Sequence, residues 1–481
     1  MERHGIYTSE IKTTVLGNSS QTIPVIWGTA PVHLATRTPA AVNVPVLCRT
    51  YEEAVAAFGY SEDWAAYTLS EYIYAHFKLY KLAEVIIINV LDPAVHKATT
   101  APANVTFSNG SATLPDAGVL KAGLLVKSVD GATTYVLGTD YTLGYNSAGK
   151  LVITIRSGGA IAPNTTTLKV GFDKLAPASV TAAEIIGGAD STTGTATGLE
   201  LVNQIFPRFG IVPGILGAPG FSKDPTVAAL IAAKGESING LFKAMAAVDL
   251  PVHSIAQYLD APTWAATNNY TSARQIVGFP NLTKEGKTYR FSTHLICVAA
   301  RTDTAYNGIP YKSPSNEQLE VDGASGKDGV AFFLGTDQAE YLNAQGIVTA
   351  INFIGGWRAW GNRTAAFPGN TDPKDAFIPI RRMFDWLQNQ VILRYWSRID
   401  SPLTLRLIET LTDDINIWLN GLQGMGALLG GRVEFLAAEN PLESLLNGKF
   451  AFHLYATPPG PAQEMNVKIE YDTQYLAAIA G

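Results

Sequence analysis

Two cysteines in 481 residues, Cys48 and Cys297, are too few and too far apart to staple a fold. They fit the role of small buried hydrophobes in a reducing cytoplasm. Seven histidines (His4, His33, His76, His96, His253, His294, His453) are scattered, with no two at ligand spacing on one element, which argues against a metal centre. Charge is sparse too, at 16% of residues against 47% hydrophobic. A surface that light in charge points either to cover by other subunits or simply to an Ala- and Gly-rich soluble chain. The net charge of −6 argues against a nucleic-acid partner. Long apolar runs are missing: Val85 to Leu91 is interrupted by Asn89 and has the length of a strand, so no membrane insertion is expected. No apolar h-region follows Met1-Glu2-Arg3-His4, so no signal peptide is expected. The chain has no G-x-S-x-G, no H-E-x-x-H and no EF-hand loop, and the glycine run Gly187–Gly194 lacks the lysine of a phosphate loop. No catalytic residue, cofactor or metal is assigned.

What is present is a change of texture along the chain. Its length sets a prior of roughly two to four domains. Residues 1–24 are poor in large apolar groups, and Tyr7, Ser9, Ile11, Thr13 and Val15 share one face of a weak strand. Such a segment is either a frayed tail or an arm that adds a strand to another subunit. From Val25 to Val90 strands alternate with helices: Val25–Pro31, Val44–Cys48, a helix capped by Thr50-Tyr51-Glu52-Glu53 and closed by Gly59, a longer helix from about Asp63 to Leu79, then Val85–Val90. Residues 98–178 contain no Trp, Cys, Met or His, and short alternating runs separated by turn pairs predict an inserted small β-sandwich. Residues 179–335 return to α/β punctuation and predict a small doubly wound domain. Its strands are Ile211–Gly217, Arg274–Phe279 and His294–Val298, and its helices Thr226–Ala233 and Glu236–Ala247. Further on, Ile380, Phe384, Leu387, Val391 and Tyr395 form a helical stripe that Met383, Trp386, Leu393 and Trp396 widen, predicting a helix covered on several sides. A second helix carries Leu403, Leu407, Leu411, Ile415 and Trp418 after Ser401-Pro402. Strands follow at Arg432–Leu436 and Lys449–Tyr455. Pro458–Pro461 then makes a stiff spacer that holds away from the body a strictly alternating strand, Met465, Val467, Ile469 and Tyr471.

The stretch around which the chain is organised runs from Gly346 to Ala366. It reads as a buried strand, a Gly355-Gly356 turn, and Trp357-Arg358-Ala359-Trp360-Gly361-Asn362-Arg363-Thr364. Paired glycines and closely spaced tryptophans make a rigid corner, not a catalytic layout. The block Trp360, Gly361, Arg363, Thr364 resembles the "WG-R-T" signature of contractile tail sheath proteins. Upstream, Pro310 to Asn316, with Ser313, Pro314 and Asn316, matches a second signature, "P-x-x-SP-A/S-N". Gly28-Thr29-Ala30-Pro31 and Thr50 to Gly59 resemble the family's opening segment.

The resemblance implies an α/β and α+β multidomain subunit: N-terminal linker arm 1–24, sheath core 25–97 and 336–457, inserted β-sandwich 98–178, middle α/β domain 179–335, and C-terminal linker arm 458–481. It implies stacked hexameric rings around a tail tube, with baseplate and tail-terminator proteins as further partners. Assembly is expected in the host bacterial cytoplasm and contraction without a cofactor. Tyr7, Ile11, Met465, Val467, Ile469 and Tyr471 become inter-subunit strand residues. Between Gly355 and Arg406 eight basic residues face four acidic ones, a net +4 that leaves the rest of the chain at −10. Arg381 and Arg382 are accordingly expected to form a tube-facing basic pair, weighed evenly against internal ion pairing. A competing class, an α/β enzyme with a carbohydrate-binding sandwich, would explain the domain textures but not the two signatures.

Overall fold

The computed structural model describes residues 22–37, 41–475 and 479. Tyr7 and Ile11 lie outside the described residues. Strands β1 (Ile23–Gly28) and β2 (Val46–Cys48) precede helix α1 (Tyr51–Phe58). Thr50 Oγ1 accepts the Glu53 N–H at 3.1 Å, and the Glu53 carboxylate accepts the Arg49 N–H at 2.7 Å. Gly59, at φ +75°, stops the helix where a Cβ would meet the Pro31 carbonyl at 2.3 Å. Helix α2 (Thr68–Tyr74) starts later than the sequence implies, because Asp63 accepts the Ala66 N–H and makes a turn. A π-helical turn (Ala75–Leu79) and the buried strand β3 (Val85–Asn89) follow.

The segment with the altered composition forms β4 (Lys97–Thr106), β5 (Ser111–Ala117), β6 (Leu125–Lys127), β7 (Tyr141–Tyr145), β8 (Lys150–Ile155) and β9 (Thr167–Leu175). They make two three-stranded antiparallel sheets, β4-β9-β6 and β5-β8-β7. Between the sheets lies a separate core that includes Leu114, Val126, Ile153 and Val170. Lys97 pairs with Leu175, so the two ends of the insertion meet.

Helix α3 (Ala182–Ile186) leads into the hairpin β10 (Gly187–Ala189) and β11 (Ala196–Gly198). The glycine run is its turn, with Asp190 accepting the N–H groups of Thr192 and Thr193. Next come α4 (Ile205–Phe209), β12 (Pro213–Gly217), α5 (Pro225–Glu236) and β13 (Met245–Asp249). The helix expected over Glu236–Ala247 is therefore a turn and a strand. Its alanines favour a helix locally, but β13 is fully buried, and Gly235 already packs where a Cβ would sit 2.4 Å from the Ala244 carbonyl. After α6 (Asp260–Thr267), β14 (Gln275–Gly278), β15 (Asn281–Lys284) and β16 (Lys287–Tyr289), the expected strand His294–Val298 turns out to lie inside helix α7 (Phe291–Ala305). An unbroken apolar run does not distinguish buried strand from buried helix, and α7 is buried through most of its length.

The chain continues through β17 (Gly323–Ser325), α8 (Thr336–Asn343), β18 (Ile347–Phe353), β19 (Gly356–Trp360), α9 (Pro373–Ala376), α10 (Ile378–Tyr395) and α11 (Leu405–Gly424). It ends in β20 (Gly430–Glu434), α12 (Leu442–Leu446) and β21 (His453–Thr457). Thr404, not Ser401-Pro402, caps α11. Leu411, Ile415, Leu419 and Leu422 are its buried stripe.

One eight-stranded sheet dominates, in the order β19-β18-β14-β13-β12-β1-β3-β2. From β18 to β3 all pairings are parallel, and β2 and β19 close the edges antiparallel. The boundaries expected at 179 and 336 therefore do not separate sheets. Strands from residues 25–97, 179–335 and 336–457 share one ladder and one core. The sequence hides this because β1 pairs with β12 across the inserted sandwich, a long-range partnership that no local pattern records. A distinct core built from α10, α11 and β20 carries Met383, Leu387, Ile415, Leu419 and Val433.

Candidate functional site

The tryptophan block is a hairpin at the edge of the main sheet. β18 and β19 pair antiparallel from Thr349–Trp360 to Phe353–Gly356, and the turn at Ile354-Gly355 is exposed. Trp357 and Ala359 are buried. The second signature segment seals the outer edge of β19: Asn316 N–H donates to the Ala359 carbonyl (2.6 Å), Ala359 N–H to Glu317 (3.0 Å), and Leu319 N–H to Trp357 (2.9 Å). Asn316 adopts φ +62°, a left-handed conformation that asparagine tolerates. Arg358 Nη1 donates to the Asn316 carbonyl at 2.7 Å, and Ser313 bonds to Asn362. Gly361, at φ +142°, leaves no room for a Cβ beside Asn343 and Val348. The buried Thr364 hydroxyl donates to the Asp375 carbonyl (2.6 Å). The Arg363 guanidinium stacks over Phe377 (3.8 Å) and Phe367 (4.2 Å). The structure thus brings Ser313, Asn316, Trp357, Trp360, Gly361, Arg363 and Thr364 together in one junction.

Arg381 and Arg382 do not face solvent, which corrects the expectation of an exposed, tube-facing pair. They are 7% and 3% exposed. Arg381 pairs with Asp375 and Asp385, each at 3.0 Å. Asp385 is shared with Arg274. Arg382 grips the fully buried Asp303, donating at 3.1 Å through Nη1 and again through Nη2, and Thr22 bonds to the same carboxylate. Burial raises the Asp303 pKa, and Arg382 opposes that shift. Asp303 lies far upstream and gave no signal, whereas the i,i+4 spacing of Arg381 and Asp385 could have flagged an internal pair.

The C-terminal segment departs from expectation in the opposite sense. The proline spacer does not hold it off the body. Pro458 is buried, and residues 459–464 line a groove of about 1040 Å³ with Ser313, Trp360 and Arg363. Arg363 Nη2 donates to Gln463 Oε1 at 3.1 Å. Past that anchor, among the described residues, no ladder partner engages Met465, Val467, Ile469 or Tyr471, which are 84%, 74%, 94% and 74% exposed. Leu405, Ile417, Leu442 and Leu446 are exposed as well. β20 and β21 pair only with each other among the described residues.

His76 and His294 are buried in the main core and held to pKa values of about 3 by desolvation, so both are neutral. Burial raises the thiol of Cys48 to about 12 and pushes that of Cys297 up as well, so neither is a ready nucleophile. Among the described residues, no group of three metal-ligating side chains could hold an ion, and no helix is long and apolar enough to cross a membrane.

This architecture is that of a contractile sheath subunit. The fold matches the contracted helical sheath of the anti-feeding prophage at TM-score 0.58 and 15% identity, over 98% of this chain and 100% of that one. It matches the contracted PVC sheath complex of an extracellular contractile injection system at 0.57 and 13%, over 99% of both. In sequence the chain is 31% identical to the tail sheath protein of Burkholderia phage BcepMu across 99% of its own length and 98% of that protein. It is 26% identical to the tail sheath protein of Escherichia phage P2 over 71% of its length. No protein-family model matches. The chain belongs to the contractile tail sheath proteins. The role named by these relatives is structural, and nothing favours the enzyme alternative.

Proposed function

We propose that this chain polymerises as stacked hexameric rings around a tail tube and shortens on a signal from the baseplate, driving the tube through a target envelope. The observation that carries this reading is the C-terminal segment: four alternating apolar side chains in solvent, anchored at Gln463 to the family-signature junction. In the polymer this strand leaves its own subunit and adds to the two-stranded β20–β21 sheet of a neighbour. An N-terminal arm containing Tyr7 and Ile11 joins the same sheet from another copy. Burying each apolar side chain favours the joint by roughly 1.5–3 kcal/mol, and ordering the arm offsets much of this at about 1–2 kcal/mol per residue. Each joint is therefore modest, and a lattice is held by several joints acting together. Contraction then consists of near-rigid bodies rotating while the arms keep them connected, with no cofactor. Tail-terminator and baseplate proteins cap the polymer, and assembly takes place in the host cytoplasm. Negative-stain electron microscopy of the purified chain tests the proposal. Rings or tubes are expected, and uniform monomers at high protein concentration would overturn it.

A further inference from the structure

The parallel sheet reverses its direction of growth between β1 and β12: β3 lies on one side of β1, while β12, β13, β14 and β18 follow in order on the other. In open doubly wound sheets the crevice outside the carboxyl ends of the strands at this reversal is where ligands bind. Here that crevice is present, with a volume of about 550 Å³. Thr29 follows β1 and Gly220–Asp224 follow β12, while Thr68 and Arg290 form its walls. Pro177, Ala178 and Val180–Ala182, returning from the inserted sandwich, line it as well.

The charges on its walls are incompletely matched. The Arg290 guanidinium approaches the Glu71 carboxylate no closer than 3.6 Å, from Nη1 to Oε2, beyond hydrogen-bond distance. Glu71 is fully buried, and that Oε2 has no hydrogen-bond partner among the described residues. Its other oxygen accepts the Arg290 N–H and the Thr293 hydroxyl, both at 2.7 Å. The second buried carboxylate, Asp249, is taken up by Ser222 and Ser292. Lys223 forms no ion pair among the described residues, and burial together with nearby Arg290 lowers its pKa. The two acids at the mouth are occupied by backbone N–H groups: Asp63 by Ala66 at 3.1 Å, and Asp224 by Thr226 and Val227 at the start of α5. Gly220, at φ +85°, brings the backbone close to Thr68 and Arg290, where a side chain would narrow the crevice.

We propose that this switch-point crevice binds a small oxyanion, a phosphate or carboxylate group, held by Lys223 and Arg290. The anion supplies a hydrogen-bond acceptor that neither the Lys223 ammonium nor the Arg290 guanidinium finds among the described residues. The site is independent of the assembly reading, since it lies within one subunit.

Isothermal titration calorimetry of the purified full-length chain tests it, with inorganic phosphate in one arm and sodium acetate in the other at matched ionic strength. Saturable uptake of one anion per chain is expected, weakened about tenfold or more in Lys223→Ala and Lys223→Gln and retained in Lys223→Arg. Because Lys223 is exposed and forms no ion pair among the described residues, its removal should leave the fold intact, which a thermal melt checks. Saturation by phosphate alone assigns a phosphate site, and saturation by acetate alone assigns a carboxylate site. Absence of saturable uptake in both arms, or uptake unchanged in Lys223→Ala and Lys223→Gln, overturns the proposal.

Discussion

The doubly wound body and the C-terminal region handle polar and apolar groups in opposite ways. The body takes charges inside and pairs them: Arg382 with Asp303, and Arg381 and Arg274 with Asp385. The C-terminal region leaves apolar groups outside, from Leu405 and Ile417 on α11 through Leu442 and Leu446 on α12 to Met465–Tyr471. A buried ion pair is weak evidence for net stability, but losing one member is costly, so such pairs fix how elements sit together. Uncovered apolar surface of this kind marks an interaction site. The body is thus organised to hold its own shape, and the C-terminal region carries the surface that the proposed joints would cover.

The largest expected effect comes from cutting that region away. Truncation after Pro461 should leave the thermal melt of the body within a few degrees of wild type while abolishing tubes in electron micrographs. Val467→Asp should do nearly the same, because it places an unpaired charge in the proposed joint. Normal tubes from either variant would break the contrast.

The next effect lies in the body. Arg382→Ala strands a fully buried carboxylate and should lower unfolding stability by about 3–5 kcal/mol in a denaturant titration. The combined change Arg382→Met with Asp303→Leu should recover much of that loss. A single-variant loss under about 1 kcal/mol, the range of an exposed pair, would show that the arginine is solvated after all.

A smaller effect is a dependence on pH. His76 and His294 are neutral in the folded chain down to about 3, whereas unfolded histidine takes up a proton near 6.5. The unfolded state therefore binds more protons across that window, and stability must fall as pH drops through it. The slope is about 1.4 kcal/mol per pH unit for each group. Melts of the subunit at pH 7 and pH 5 should differ in that direction, and His294→Gln should flatten the slope.

The smallest effect should come from the inserted sandwich. Lys97 and Leu175 are ladder partners, so excising residues 98–174 with a short Gly/Ser linker closes a gap already bridged. Tubes should still form. Soluble subunits that fail to polymerise would make the sandwich part of the joint.

Much of this organisation was legible in local pattern. The cap at Thr50 and the sandwich strands of 98–178 depend on neighbours within a few residues, and sequence records such neighbours directly. The stripe of α11 was legible only at Leu411 and Ile415, since Leu403 lies outside the helix, Leu407 and Trp418 are only partly covered, and Leu419 and Leu422 complete the buried face. The helix α7 and the strand β13 were misjudged because both are enclosed, and enclosure removes the polar positions from which a period is read. The junction of Ser313, Asn316 and Trp357–Thr364 could be found from the family resemblance. What joins them, hydrogen bonds from residues 316–319 along the edge of β19, could not.

By itself, the sequence determined which family this chain belongs to, where its texture changes, and that apolar and polar residues alternate strictly over Met465–Tyr471. Only the tertiary structure decided that three of the expected segments share one sheet, that Arg382 points inward to Asp303, and that the proline spacer lies against the signature junction. The physical reason is common to all three. Ladder pairing, burial of charge and docking of a spacer depend on partners tens to hundreds of residues away, such as β1 with β12 or Arg382 with Asp303, and a partner at that distance leaves no trace in local spacing.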